Sequence, residues 1–329
     1  MRTRKFGRTG RQVSEIGFGS WAIGGLQWGH VEDGEAIAAL HAAIDAGVTF
    51  IDTADVYGDG RSEQLIARAL KERRGDRPFV ATKTGKRLAV QDVEGYTREN
   101  IAAWVERSLA NLQVDALDLV QFHCPPTDLF YHPEIFGYMD DLVKAGKIRN
   151  YGVSVEKIEE AIKAIEYPGV VSVQIIFNIL RQRPTELFFG LAQRKDVAII
   201  ARVPLASGLL SGKFRQETRF AASDHRSYNR NGEAFDVGET FSGVPYDKGI
   251  EVVERIRPLV GGDATMAQFA LRWILMHEAV TVVIPGARNA DQARANAQAD
   301  DLLALSAETM AKLREIYAED VKPYVHQRW

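Results

Sequence analysis

Val48-Thr49-Phe50-Ile51-Asp52-Thr53-Ala54-Asp55-Val56-Tyr57-Gly58 is the stretch on which the reading of the fold turns. Its first four residues are β-branched or apolar, the composition of a short strand buried on both faces, and the chain becomes polar directly afterwards. The pattern recurs. Arg77 to Thr82, Leu117 to Phe122, Ile148 to Val153, Val170 to Ile176, Val197 to Ala201 and Thr281 to Ile284 read as strands of the same kind, and a first strand has to end near Gly17-Phe18-Gly19.

Helical patterns fill the intervals. Ile37, Leu40 and Ile44 are spaced three and four apart behind a cap expected at Asp33, and Leu65, Ala69 and Leu70 follow Ser62 in the same manner. Ile101, Trp104, Val105, Leu109 and Leu112 form the clearest apolar stripe. Further helices are expected from about Glu134 to Ala145, Val155 to Ile165, Leu187 to Arg194, Asp247 to Val260, Ala264 to Met276 and Asp291 to Ala297, with a last one from Ser306. Lys5-Phe6 and Val13 to Ile16, around Arg8-Thr9-Gly10-Arg11, read as an N-terminal hairpin. Strands alternating with helices place the chain in the α/β class, with a parallel sheet under helices. An open doubly wound sheet and a closed barrel both fit. The even repeat, the count of eight strands and the lack of a composition break favour a (β/α)8 TIM barrel, one domain over residues 1–329 with the hairpin and extra helices added. Leu209 to Pro245 lacks periodicity and is long enough to be a functional loop or lid.

Composition excludes several classes of function. With 46% hydrophobic residues the chain can bury a core, and 41 basic against 44 acidic residues leave a net charge of −3, without the basic excess of a nucleic-acid binder. Lys71-Glu72-Arg73-Arg74 reads as the solvated end of a helix. Met1-Arg2-Thr3-Arg4-Lys5 does not resemble a signal peptide, and no apolar run reaches the roughly 20 residues of a membrane span. A single cysteine, Cys124, excludes an internal disulfide framework. A soluble, cytoplasmic protein is expected. No histidine or cysteine spacing marks a metal site, and Cys124, next to His123, reads as structural and directed away from it.

Gly17-Phe18-Gly19-Ser20-Trp21-Ala22 matches the loose dinucleotide pattern G-x-G-x-x-A, which requires a helix to open immediately after it. The chain continues Ile23-Gly24-Gly25-Leu26-Gln27-Trp28-Gly29, too glycine-rich for a helical turn, so a loop at the mouth of a barrel is expected instead.

In a barrel, chemistry belongs at the C-terminal ends of the strands. Asp52, Lys83 and His123 end three successive strands, and Tyr57 follows one of them. Singly, each has a structural reading: a turn cap, a snorkelling lysine, a core histidine, a ring that plugs the mouth. Together they make one apparatus. A tyrosine hydroxyl, with a pKa near 10, is a poor acid at neutral pH. A lysine beside it favours the phenolate, a carboxylate holds the lysine, and a histidine can position a carbonyl oxygen.

These residues and their surroundings resemble the aldo-keto reductase family. The resemblance rests on Phe50-Ile51-Asp52-Thr53-Ala54 with Tyr57-Gly58, on Thr82-Lys83, Gln121-Phe122-His123 and Gly152-Val153-Ser154, on Gln174 with Asn178, on Pro204-Leu205 with Gly208-Leu209-Leu210-Ser211-Gly212-Lys213, and on Ile284-Pro285-Gly286-Ala287-Arg288 with Gln292 and Asn296. It implies a catalytic tetrad of Asp52, Tyr57, Lys83 and His123, and NADP(H) bound across the barrel mouth without a Rossmann domain. The contacts it implies are Gly19, Ser20, Trp21 and Gln27 in the first loop, Ser154 and Gln174 at the carboxamide, Pro204, Leu205, Ser207, Gly208 and Lys213 at the pyrophosphate, and Gly286, Arg288, Gln292 and Asn296 at the adenosine. Arg288 suits a 2′-phosphate, with Arg226 a second cation. Arg202, Val155 and Ala295 depart from the family pattern. Arg202 stands where an aromatic ring usually stacks on the nicotinamide, and its charge would oppose an oxidised ring and bias the enzyme towards reduction. Trp21, Trp28, His30, Phe130, Tyr131, Phe177 and Tyr228 are candidates for the substrate pocket. The expected activity is reduction of aldehydes or ketones, sugars included. Oxidation of a sugar or polyol, and a regulatory subunit like the potassium-channel beta subunits, are the competing readings. The sequence leaves the oligomeric state open.

Overall fold

A computed structural model describes residues 1–329, the side chain of Leu26 excepted. Strands β1 (Thr3–Lys5) and β2 (Gln12–Ser14) pair antiparallel as the N-terminal hairpin. Gly10 has the positive φ that the turn requires, 72°. The strands stop short of the predicted Phe6 and Ile16 because Phe6 has another task. Its ring is fully buried against Phe50 and Phe79, at centroid distances of 5.5 and 5.3 Å.

Eight parallel strands follow: β3 (Phe18–Gly19), β4 (Phe50–Asp52), β5 (Phe79–Thr84), β6 (Leu119–His123), β7 (Tyr151–Ser154), β8 (Val170–Ile176), β9 (Ala198–Arg202) and β10 (Val280–Val283), each hydrogen-bonded to the next. The ring closes where Ile16 bridges Val283 and Gly19 bridges Gly286, with Gly17 N donating to Val283 O at 2.8 Å and Gly19 N to Pro285 O at 3.0 Å. This is the expected (β/α)8 barrel. Several strands run one or two residues later than the sequence predicts, so Lys83 and His123 sit within strands.

Side chains alternate between the inside and the helix layer. Phe50, Phe79, Ala81, Leu119, Ala198, Ile200, Val282 and Ile284 fill the lower interior with Phe6 and Val13. The next inward positions along the same strands are Asp52, Lys83, Gln121, His123 and Arg202. An apolar floor therefore lies beneath a polar mouth, and the strand sequences alone set this division.

The helices α1 (Trp21–Gly24), α2 (Asp33–Asp45), α3 (Arg61–Lys71), α4 (Arg98–Leu112), α5 (Pro133–Lys144), α6 (Ile158–Ala164), α7 (Phe188–Arg194), α8 (His225–Tyr228), α9 (Tyr246–Ile256), α10 (Met266–Leu275), α11 (Ala290–Ala297) and α12 (Ala307–Ile316) include every helix predicted. Two expected caps differ. Asp33 lies inside α2 and its carboxylate is held by Arg61 and Arg68, each at 2.7 Å. Ser62 lies inside α3, where its Oγ accepts from Thr53 at 2.9 Å and donates to Ser20 at 2.7 Å. Tertiary partners claim both side chains. A helical turn does open directly after Ser20, contrary to expectation, but α1 is one turn long and ends at an extended Gly25. Gly24 allows it: a Cβ there would stand 2.7 Å from that of Tyr57.

Residues 209–245 form the expected irregular segment, with short turns and the four-residue α8. It lies over the mouth as a lid, with His225 Nδ1 against Gln27 O at 3.0 Å and its ring 4.9 Å from Trp21 and 4.5 Å from Trp28. No helix among the described residues is long and apolar enough to cross a membrane.

Candidate active site

Three inward positions and one loop residue converge at the mouth. Lys83 Nζ, buried on β5, donates to Asp52 Oδ1 at 2.6 Å, Thr53 O at 2.9 Å and Tyr57 OH at 3.2 Å. The ring of His123 meets that of Tyr57 edge to face at 5.9 Å. Asp52 is fixed from its other side by Gln174 Nε2 at 2.7 Å. The ammonium thus has three oxygen partners, which satisfies a charge that burial would otherwise make costly.

Electrostatics follow from these contacts. Burial works against the Lys83 ammonium, yet Asp52 and Tyr57 outweigh it and the pKa rises above the ordinary lysine value. Burial likewise dominates at Tyr57. It pushes the phenol up to about 12 although Lys83 pulls it down. Lys83 thus lowers the tyrosine pKa as expected, but burial outweighs it and leaves the Tyr57 phenol protonated at neutral pH. Burial, reinforced by Lys83, Lys86 and Arg202, drives His123 well below the usual histidine value, so its ring is neutral. Its Nδ1 is buried without a partner among the described residues.

The other anticipated residues fall into three groups. At the mouth, Trp21 lies nearly parallel to Tyr57 at 6.1 Å and donates to Gln27 Oε1 at 2.7 Å, while Trp28 packs on Trp21 and Tyr228 on Phe235. Ser154 and Gln174 are buried and paired in register on β7 and β8. Pro204, Leu205, Ser207 and Gly208 lead into the turn Ala206–Ser211, where Ser207 and Gly208 are left-handed, and Lys213 beyond it is exposed.

The adenosine candidates lie along the adjoining rim. Arg288 Nη2 donates to His30 O at 2.9 Å, its backbone N–H to Gln292 Oε1 at 2.9 Å, and Asn296 Nδ2 to Gly286 O at 3.1 Å. Arg226 is held by Asp224 at 2.6 Å, with its guanidinium 4.8 Å from the Trp28 ring.

A third group serves structure. The Ser20 hydroxyl points to Ser62, and Gly19 allows the barrel seam to close, since a Cβ there would stand 2.7 Å from Ile284 O. Phe177 faces outward against Phe189 and Trp273, Phe130 is fully buried in the helix layer, Tyr131 is 65% exposed, and exposed His30 pairs with Glu32. These last four do not join the others at Tyr57.

Cys124 departs from its expected direction. Its φ of 47° turns the chain at the end of β6, so Sγ points into the mouth, 3.6 Å from Ser154 Oγ, and burial raises its pKa to about 12. With Glu156 and Glu239 it forms a group whose atoms lie close enough to share an ion. Arg202 donates into the same group, which disfavours a cation there. Glu156, Phe235 and Glu239 are the mouth residues that the sequence did not reveal. The two from the lid lie in a segment with no periodicity to mark them.

Comparison with known proteins agrees with this geometry. The model of the Aldo/keto reductase family matches residues 15–318. Aldo-keto reductase YhdN of Bacillus subtilis (strain 168) is 32% identical over 289 residues, 87% of this chain and 85% of that protein. Among solved structures, aldo-keto reductase AKR11C1 from Bacillus halodurans (holo form) superposes with a TM-score of 0.78 at 28% identity, covering 100% of this chain and 99% of that one. An aldo/keto reductase from Klebsiella pneumoniae in complex with NADP and acetate superposes with a TM-score of 0.70 at 25% identity, covering 96% and 95%. The protein is a barrel oxidoreductase, and it belongs to the aldo/keto reductase family.

Proposed function

We propose that this chain reduces aldehydes or ketones to alcohols with NADPH, Tyr57 donating the proton. The observation that carries the reading is the Lys83 ammonium, bonded at once to Asp52 and to the Tyr57 hydroxyl beside a neutral His123. The residues present fit a dinucleotide. Ser154 and Gln174 offer amide-binding groups, left-handed Ser207 and Gly208 shape a tight turn beside the mouth, and Lys213, Arg226 and Arg288 are cations suited to phosphate. The solved relative from Klebsiella pneumoniae, bound to NADP, supports the same cofactor here.

NADPH, when bound, supplies the hydride. Tyr57 then gives its proton to the developing alkoxide, and Lys83 stabilises the phenolate left behind. Asp52 and Gln174 hold Lys83 in line, and a neutral His123 donates an N–H to the carbonyl oxygen. Trp21, Trp28 and Tyr228 wall the site with rings that accept apolar chains or sugar faces, which favours small carbonyl compounds.

The test is NADPH absorbance decay against a panel of aldehydes, ketones and sugars, with Tyr57→Phe run in parallel. kcat is expected to fall at least about 100-fold in the variant, the range for loss of a positioned acid, while NADPH binding persists. Undiminished turnover in Tyr57→Phe would remove the assigned proton donor. Tight NADPH binding without turnover on any substrate would favour a regulatory role.

A further inference from the structure

Arg202 closes β9 on the face that looks into the barrel, two residues beyond Ile200 of the inner core. Contacts bring it beside the candidate reacting groups: its Nη2 reaches Cys124 and Val155, the residues that follow His123 and Ser154, which are themselves in register on β6 and β7. Its buried guanidinium donates through Nη2 to Val155 O at 2.9 Å and Cys124 Sγ at 3.5 Å, and through Nη1 to Oε1 of Glu239 in the lid. The lid is pinned at the same point: Ser207 Oγ donates to Glu239 O at 2.8 Å and accepts from Phe241 N at 3.1 Å. Both partner segments use left-handed backbone at non-glycine residues, Val203, Ala206 and Ser207 on one side and Phe241 and Ser242 on the other, with φ between 47° and 59°. Each such residue is strained and persists only where surrounding contacts enforce it. Two strained segments thus meet in one buried ion pair.

The charge of the bound ring changes during the reaction: the oxidised nicotinamide is a cation and the reduced one is neutral. A fixed charge beside the ring therefore binds the two forms unequally. We propose that the Arg202–Glu239 pair sets the balance between oxidised and reduced cofactor: the guanidinium favours NADPH, and Glu239 offsets most of that preference. Glu239 is on this reading a determinant of cofactor form. The inference rests on the NADP(H) reading above. Glu156, whose carboxyl burial pushes up to about 7, and Lys86 also face the mouth and are the same in every variant, so the pair is the element that the substitutions change.

The experiment is calorimetric measurement of the dissociation constants of NADPH and NADP+ for the wild type, Glu239→Gln, Arg202→Met and the double variant. Glu239→Gln leaves a bare cation, and the ratio Kd(NADP+)/Kd(NADPH) is expected to rise about tenfold, the effect of one unit charge near a partly screened site. Arg202→Met leaves a bare carboxylate, and the ratio is expected to fall by about the same factor. The neutral double variant returns towards the wild-type ratio and controls for packing. A pair that merely holds the lid weakens both forms alike. An unmoved ratio, or shifts of the same sign in both single variants, overturns the inference. If Arg202→Met does not fold, the sign in Glu239→Gln still decides. Wild-type protein that binds neither form removes the NADP(H) reading itself, a different failure from tight binding with an unmoved ratio.

Discussion

Asp55 is the residue whose surroundings fit its chemistry least well. Its side chain is completely buried, and among the described residues no side chain gives its carboxylate a hydrogen bond. Burial, with the nearby Glu63, raises its pKa to about 7 against the opposing pull of Arg87 and Arg107. A carboxyl raised in the folded state favours folding below its unfolded pKa, and that contribution is lost as pH rises through the folded value. Asp55 therefore costs stability between roughly pH 4 and pH 7, on the order of 4 kcal/mol in full. Asp55→Asn is expected to match the wild type near pH 4 and to exceed it in melting temperature at pH 8. Equal melting temperatures at pH 8 would show that the carboxylate finds a partner in solution. At this scale the sequence was informative where several residues converge on one spot, as at Asp52, Tyr57, Lys83 and His123. It was misleading where one backbone angle decides, as at Cys124, which a left-handed φ turns inwards.

Among the elements, the hairpin shows how a strand prediction misses and why. Lys5-Phe6 has the alternation of a strand, but Phe6 leaves the ladder to seal the barrel floor with Phe50 and Phe79. Removing a fully buried phenylalanine costs about 3–5 kcal/mol. Phe6→Ala should lower the denaturation midpoint accordingly while leaving KM for carbonyl substrates unchanged, since the floor lies below the reacting groups. A raised KM at unchanged stability would contradict that separation of floor and mouth. The caps at Asp33 and Ser62 were missed for a related reason. Local sequence offers a side chain to its own helix, and a distant arginine or serine wins it. The lid was legible only as an absence of pattern, so Glu239 and Phe235 carried no signal.

For the whole molecule, the even alternation of strands and helices was enough to choose a barrel, because only a closed ring of eight makes every strand an interior one. The closure itself was not legible. It depends on two bridges between residues far apart in sequence and on Gly19, whose missing Cβ lets the ring shut. Gly19→Val should place side-chain atoms against Ile284 O, weaken the seam and lower the melting temperature by several degrees, about 1–3 kcal/mol for an overpacked site. Loss of amide protection concentrated in β3 and β10, read by hydrogen exchange, would locate the effect. Uniform loss would mean that the seam is no weaker than the rest.

That seam also fixes an order of events during synthesis. The strand that opens the ring emerges from the ribosome early, and its partner, Val280–Val283, is among the last strands made. Until then the nascent chain presents β3 as an unpaired strand edge, and the Phe6 plug waits beneath a vessel that is still open. Pairing at so great a sequence separation is slow. The protein is thus exposed to strand-to-strand aggregation for most of its translation, and the short β3, only Phe18–Gly19, keeps the exposed edge small.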